Sequence, residues 1–195
     1  MANISQRPNH FIKSCSPVIF TALFLSGVAA HADQEVDLPN AGFEDGLTSW
    51  VVQGGDPKGA AAVAEAAKDG SKGVRLTETA GKGNVIVLSK LVPATPGKVY
   101  EVKFWARVVS GAALGAYVHF FDPKFAQMPS KGPAAYIDST TSDWKQFDVK
   151  QTAPEGAMRV AVAFQTFTNQ PVVADVDSIS ITELDSTSTA ATSTP

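Results

Sequence analysis

Two acids near opposite ends of the chain, a lone histidine and a scatter of aromatic residues are the side chains with the clearest chemical potential in these 195 residues. His119 is the only histidine after residue 31, and Cys15 is the only cysteine. That composition removes the usual zinc clusters and cysteine nucleophiles. No G-x-S-x-G elbow offers a serine to His119, which without clustered partners reads as a surface histidine rather than a catalyst. The glycine-rich "TAGKGN" at 79–84 lacks the spacing and the following Ser or Thr of a phosphate loop, and reads as a hairpin turn. Paired carboxylates would suffice for glycoside hydrolysis. The 19 acids of this chain need no such reason to be there.

Glu44 and Asp177 are the acids with a specific argument. Glu44 follows Phe43 in "NAGFEDGLTSW" (40–50), read as the end of an early strand; Asp177 lies in "VVADVDSISIT" (172–182), a late one. In the late strand Val172, Ala174 and Val176 share one parity and Ile179 and Ile181 the other, so the apolar face slips by one residue near Asp177 and Ser178. A slip of that kind implies a bulge or kink. Where terminal strands pair, a carboxylate at the kink faces one from the first strand, and that needs a compensating cation. Calcium takes carboxylates and backbone carbonyls. Turn capping is the alternative role for both acids.

The elements that must carry these residues are short alternating runs. In "KVYEVKFWARV", Tyr100, Val102, Phe104 and Ala106 alternate with Glu101, Lys103, Trp105 and Arg107, the period of a half-buried strand. "GAYVHFF", "KQFDVKQ" and "MRVAVAFQTF" repeat it, and turn signals at "ATPGK", "SGAAL", "DPKF", "APEGA" and "TNQP" recur about every ten residues, as in an all-β sandwich. "GAAAVAEAAKDG" is read as a strand followed by a turn at Asp69 and Gly70. Parity then sorts the side chains. Trp105 and Arg107 point away from the core, as do Tyr117, His119 and Phe121 of the next strand and Gln165 with Ala161 and Ala163 of a later one. These six larger residues are expected to form one ligand-binding platform of aromatic faces and hydrogen-bonding groups. The alternative is that the loop "FDPKFAQMPSKGPAAY" covers them as a second small core. Trp50 is expected to pack at the sandwich edge, and Trp144 reads equally as edge packing or ligand contact.

Both ends of the chain read as segments outside this domain. Residues 1–32 contain Arg7 and Lys13, then the apolar run "PVIFTALFLSGVAA" and Ala30-His31-Ala32, the order of a secretory signal peptide; the run falls short of the roughly 20 residues of a spanning helix. Cleavage would leave 163 residues, with 14 basic groups (two fewer than 16) against 19 acids, a formal charge of −5. That balance argues against nucleic acid or an anionic membrane as partner. Residues 185–195, "DSTSTAATSTP", hold no large apolar side chain and read as a disordered tail. The folded domain is expected over 33–184.

"LPNAGFEDGLTSWVVQGG", "KDGSKGVRLT", "VPATPGKVYEVKFWARV", "SDWKQFDVKQTAPEGAMRVAVAF" and "VDSISIT" occur in an order that resembles the calcium-containing carbohydrate-binding modules appended to xylanases and endoglucanases, over about residues 36 to 183. The resemblance implies an all-β jelly-roll sandwich of two antiparallel sheets, a structural calcium and non-catalytic binding of a polysaccharide or oligosaccharide. It matches Glu44 and Asp177 to the acids of the calcium site and implies backbone oxygens from Lys68 to Gly70. Ser178 stands where a second Asp is common. The reading is therefore an exported, periplasmic or extracellular, sugar-binding protein. A protein or cell-surface interaction module of the same fold and a small polysaccharide-processing enzyme are the alternatives.

Overall fold

A computed structural model describes residues 32–80 and 82–185. The expected signal peptide, apart from its last residue, and the tail from residue 186 onward lie outside the described residues. Among those described, the chain forms twelve strands: β1 (Gln34–Val36), β2 (Trp50–Gly54), β3 (Ala60–Val63), β4 (Gly73–Glu78), β5 (Val85–Ser89), β6 (Val92–Pro93), β7 (Val99–Gly111), β8 (Ala113–Phe121), β9 (Ala135–Asp138), β10 (Lys145–Thr152), β11 (Arg159–Thr166) and β12 (Val172–Leu184). They make two antiparallel sheets. The first has the order β10-β7-β12-β4-β3, with β1 also on β12; the second has the order β2-β5-β11-β8-β9, with β6 also on β11. This is the expected β-sandwich.

Alternation builds the core. Tyr100, Val102, Phe104 and Ala106 from β7 meet Leu114, Ala116, Val118 and Phe120 from β8 and Val160, Val162 and Phe164 from β11 in one buried cluster. Each large apolar side chain removed from water there contributes about 1.5–3 kcal/mol. Phe104 anchors the centre, edge-on to Phe164 at 5.1 Å and stacked on Phe147 at 5.3 Å. Trp50 is buried as expected, tilted on Phe43 at 4.7 Å, and its indole N–H donates to the Asn40 carbonyl at 2.9 Å.

The parity slip in β12 is real. Its register against β7 jumps between Asp177 and Ser180, Ser178 has a φ of 53°, and Ile179 and Ile181 return to the core. "GAAAVAEAAKDG" gives β3, one 3-10 turn over Ala64–Ala66 and then the turn at Gly70.

Two expectations need correction. "TAGKGN" is not a hairpin turn, because β4 before it lies in the first sheet and β5 after it in the second. Phe43 and Glu44 do not end a strand. They sit in turns between β1 and β2, with Phe43 at a φ of 56° and its amide donating to the Asn40 carbonyl at 3.1 Å. The terminal strands do pair, through β1 and β12, with Gln34 opposite Glu183.

Candidate functional site

The six residues expected on one platform are divided between two faces. β7 belongs to the first sheet and β8 to the second, so Trp105 and Arg107 point out of one side of the sandwich while Tyr117, His119 and Phe121 point out of the other. The parity was right for each strand. What alternation cannot reveal is that the chain changes sheets at Gly111 and Ala112, where the Ala112 amide donates to the Pro171 carbonyl at 3.0 Å.

On the first sheet, Arg107 is committed to structure. Asp175 of β12 is fully buried between Arg75 of β4 and Arg107 of β7, its direct cross-strand neighbours. Arg75 donates to it through Nε at 2.7 Å and Nη2 at 3.0 Å, and Arg107 through Nε at 2.9 Å. Arg107 Nη2 also donates to the Glu65 carbonyl at 2.8 Å, and its guanidinium lies 4.8 Å from the Trp144 ring centroid. Lys68 Nζ lies over Trp105 at 4.5 Å. Trp144 thus packs, part-exposed, beside an ion-paired arginine.

The second sheet presents a different surface. β8 turns out Tyr117 and His119, stacked at 5.4 Å and 17°, and Tyr136 of β9 stacks on Phe167 at 5.1 Å and 22°. Beside them the outward positions of β11 are Ala161, Ala163 and Gln165, in register with His119, Tyr117 and Gly115. On the other flank stand Ile86 and Leu88 of β5, then Gln53 and Val51 of β2. The small alanines form a floor below taller side chains, and both are buried although they face outward. Gly115 is part of the same fit, since a Cβ there would approach Tyr117 Cε2 to 2.9 Å and Phe167 Cζ to 3.0 Å. Phe121 does not join this surface. It is buried where the chain turns back and bridges to Gln127, so the loop covers one aromatic and leaves Tyr117 and His119 half-buried.

Burial pulls the His119 pKa below its ordinary value. The ring is thus neutral at pH 7, and Gln127 Nε2, 3.1 Å from its Nδ1, donates to it, which puts the ring proton on Nε2. Burial, followed by the proximity of Tyr136, raises the Tyr117 phenol. Both groups are uncharged hydrogen-bonding partners at neutral pH. Of the outward strand positions on this sheet, Asp138 alone carries a carboxyl, and it accepts from the Thr140 amide at 2.9 Å. A concavity of about 580 Å³ elsewhere, between residues 34–39 and 90–95, has no aromatic in its lining.

The residues expected to hold calcium meet around one loop. Glu44 accepts from the Ser71 amide at 2.9 Å, the Lys72 amide at 3.2 Å and the Ser71 hydroxyl. Asp177 accepts from the amides of Lys68 at 2.7 Å, Asp69 at 3.0 Å and Ser178 at 2.7 Å. Gly70, at a φ of 68°, lets the loop close, because a Cβ there would fall 2.2 Å from Glu44 Oε1. The Ser71 hydroxyl, then the Ser71 and Lys72 amides, hold the Glu44 carboxyl below its usual range. Burial raises that of Asp177 against its three amide donors. Among the described residues no three Asp, Glu, His or Cys side chains gather closely enough to hold an ion. An ion here would thus draw on two carboxylates and on backbone or hydroxyl oxygens. The donor type fits calcium, although the loop turns amides towards both acids.

Residues 38–171 match the family model described as a carbohydrate binding domain. The chain belongs to that family. No curated protein matches this carbohydrate binding domain by sequence. Its fold is similar to the CBM22-1 xylan-binding domain of Paenibacillus barcinonensis Xyn10C, at 17% identity and a TM-score of 0.56 over 81% of this chain and 99% of that one. It is also similar to TmCBM61, solved in complex with beta-1,4-galactotriose, at 20% identity and a TM-score of 0.53 over 76% and 98% of the two chains. The enzymatically active domain of Bacteriophage CBA120 tailspike protein 4 matches at 13% identity and a TM-score of 0.58; this chain covers 21% of it, and 75% of this chain is matched.

Proposed function

We propose that this carbohydrate binding domain holds a polysaccharide or oligosaccharide along the outer face of its second sheet and does not cleave it. The observation that carries the reading is the pair of half-open ring stacks, Tyr117 with His119 and Tyr136 with Phe167, standing beside the alanine floor of β11. Ring faces take the apolar C–H faces of sugars, while Tyr117, His119, Gln165 and Gln53 offer neutral hydrogen bonds to hydroxyls. Hydrolysis would call for two acids flanking the bond, and Asp138 is the single acid among the outward strand positions of this sheet in the described residues. Export to the periplasm or exterior rests on the sequence of residues 1–32, and calcium at Glu44, Asp177 and the backbone from Lys68 to Gly70 on the donor set just described.

Affinity electrophoresis through gels containing β-glucan, xylan or galactan tests the binding face. Tyr117→Ala and Tyr136→Ala should each weaken retention about tenfold, in keeping with about 1–1.5 kcal/mol for an aromatic contact. Trp105→Ala, on the opposite face, should leave retention unchanged. Retention that survives both tyrosine changes and falls with Trp105→Ala would move the site to the first sheet. A complete lack of retention by any polysaccharide would favour a protein-interaction module.

A further inference from the structure

We infer that the binding face ends in a subsite for a sugar carboxylate, formed by Arg159, so that the preferred glycan carries uronic acid. This rests on the placement of the glycan along the second sheet. Arg159 opens β11 and points out on that face, opposite Phe121, one register step beyond the pairing of Ala161 with His119. Successive outward residues of a strand lie roughly 6.6 Å apart. Tyr117 and His119 therefore make a row along β8, and Arg159 stands one strand across from the end of that row, where a glycan chain lying on the two rings passes beside it.

Arg159 is unlike the other arginines of the sandwich. Arg75 and Arg107 are both ion-paired to Asp175. Among the described residues no acid lies within ion-pair distance of Arg159, and its Nη1 is buried with no hydrogen-bond partner. A buried donor of a charged group left unpaired is costly, and an oxygen acceptor from a ligand removes that cost. The guanidinium is also held in place: its carbon lies 3.9 Å from the ring centroid of Phe125. Phe125 is 63% exposed, with a φ of 66°, in a turn fixed by Asp122 Oδ1, which accepts from the amides of Lys124 at 2.8 Å and Ala126 at 2.9 Å. Its ring has room to yield as the carboxylate arrives. A planar carboxylate matches the planar fork of arginine through two parallel hydrogen bonds.

The decisive probe is glucuronoxylan, compared in affinity gels with the same polymer after its carboxyls are reduced to alcohols. The protein carries a formal charge of −3, so diffuse electrostatics would disfavour the acidic polymer. Wild-type protein should nevertheless be retained about tenfold more strongly by the acidic form, as a charge-assisted bidentate contact implies. Arg159→Gln should erase the difference between the two polymers. Equal retention of the two polymers by wild type overturns the subsite while the binding face stands, and that comparison needs no variant to fold. A preference that persists in Arg159→Gln, or equal retention by dextran sulfate, which has no carboxylate, overturns it as well. Failure to retain either xylan or any neutral polymer removes the binding face itself.

Discussion

Asp175 shows how one buried charge can decide what an exposed-looking residue does. Its carboxylate has no contact with water, yet it lies on the outer side of the first sheet, covered by two guanidiniums from the neighbouring strands. Removing one member of a buried pair leaves the rest uncompensated, typically at about 3–5 kcal/mol. Both arginines keep part of their side chains in water, so Asp175→Ala should fall at the lower end, about 3 kcal/mol, read from urea unfolding. Arg107→Ala should also lower stability and leave polysaccharide retention intact. A loss of retention without a loss of stability would restore Arg107 to the sugar site. In the sequence Arg107 is merely polar and outward, which is why it reads as a ligand. The partner that claims it is 68 residues away, and alternation within one strand carries no trace of it.

At the scale of elements, inward and outward faces were legible and sheet membership was not. The strands β7, β8, β10, β11 and β12 show their core parity in the sequence, because burial of alternate side chains is a local property, whereas β9 reads there as part of the loop that precedes it. The step from β7 to β8 looks like a tight turn at "SGAAL", but it joins the two sheets and sends Trp105 and Tyr117 in opposite directions. Gly111 makes the step possible. Its φ is 91°, and a Cβ there would come within 2.1 Å of the Pro171 carbonyl oxygen. Gly97 has a similar φ of 79° with nothing within 4 Å. Gly97→Ala should therefore cost only the backbone strain, about 1 kcal/mol, whereas Gly111→Ala adds a clash with backbone and should cost about 3 kcal/mol or more. Equal melting temperatures for the two variants would show that the sheet-changing step tolerates a side chain.

Over the described sandwich the two outer faces differ, one carrying ion pairs and one aromatic rings, and a single loop joins the early turns to the late strand β12. Residues 68–72 meet Glu44 from the N-terminal turns and Asp177 from the bulge of β12. The kink and its acid were visible as a parity slip; the amides that meet the acid were not, since their direction depends on the turn at Gly70. Asp177 has a raised pKa from burial, so its contribution to stability is present below the ordinary value of 3.8 and is lost as pH rises through its folded pKa. At neutral pH the buried charge is a cost that a hard cation would offset. An ion that binds only the folded state adds about 2.7 kcal/mol at a hundredfold excess over its Kd, or roughly 5–10 °C in a domain of this size. Chelation at pH 7 should lower the melting temperature by that amount, and added calcium but not magnesium should restore it. Glu44→Gln, a change at an exposed carboxylate, should abolish the difference between chelated and calcium-loaded protein. If wild-type protein melts at the same temperature with and without chelator, the amides alone hold the two acids and calcium has no place in the fold.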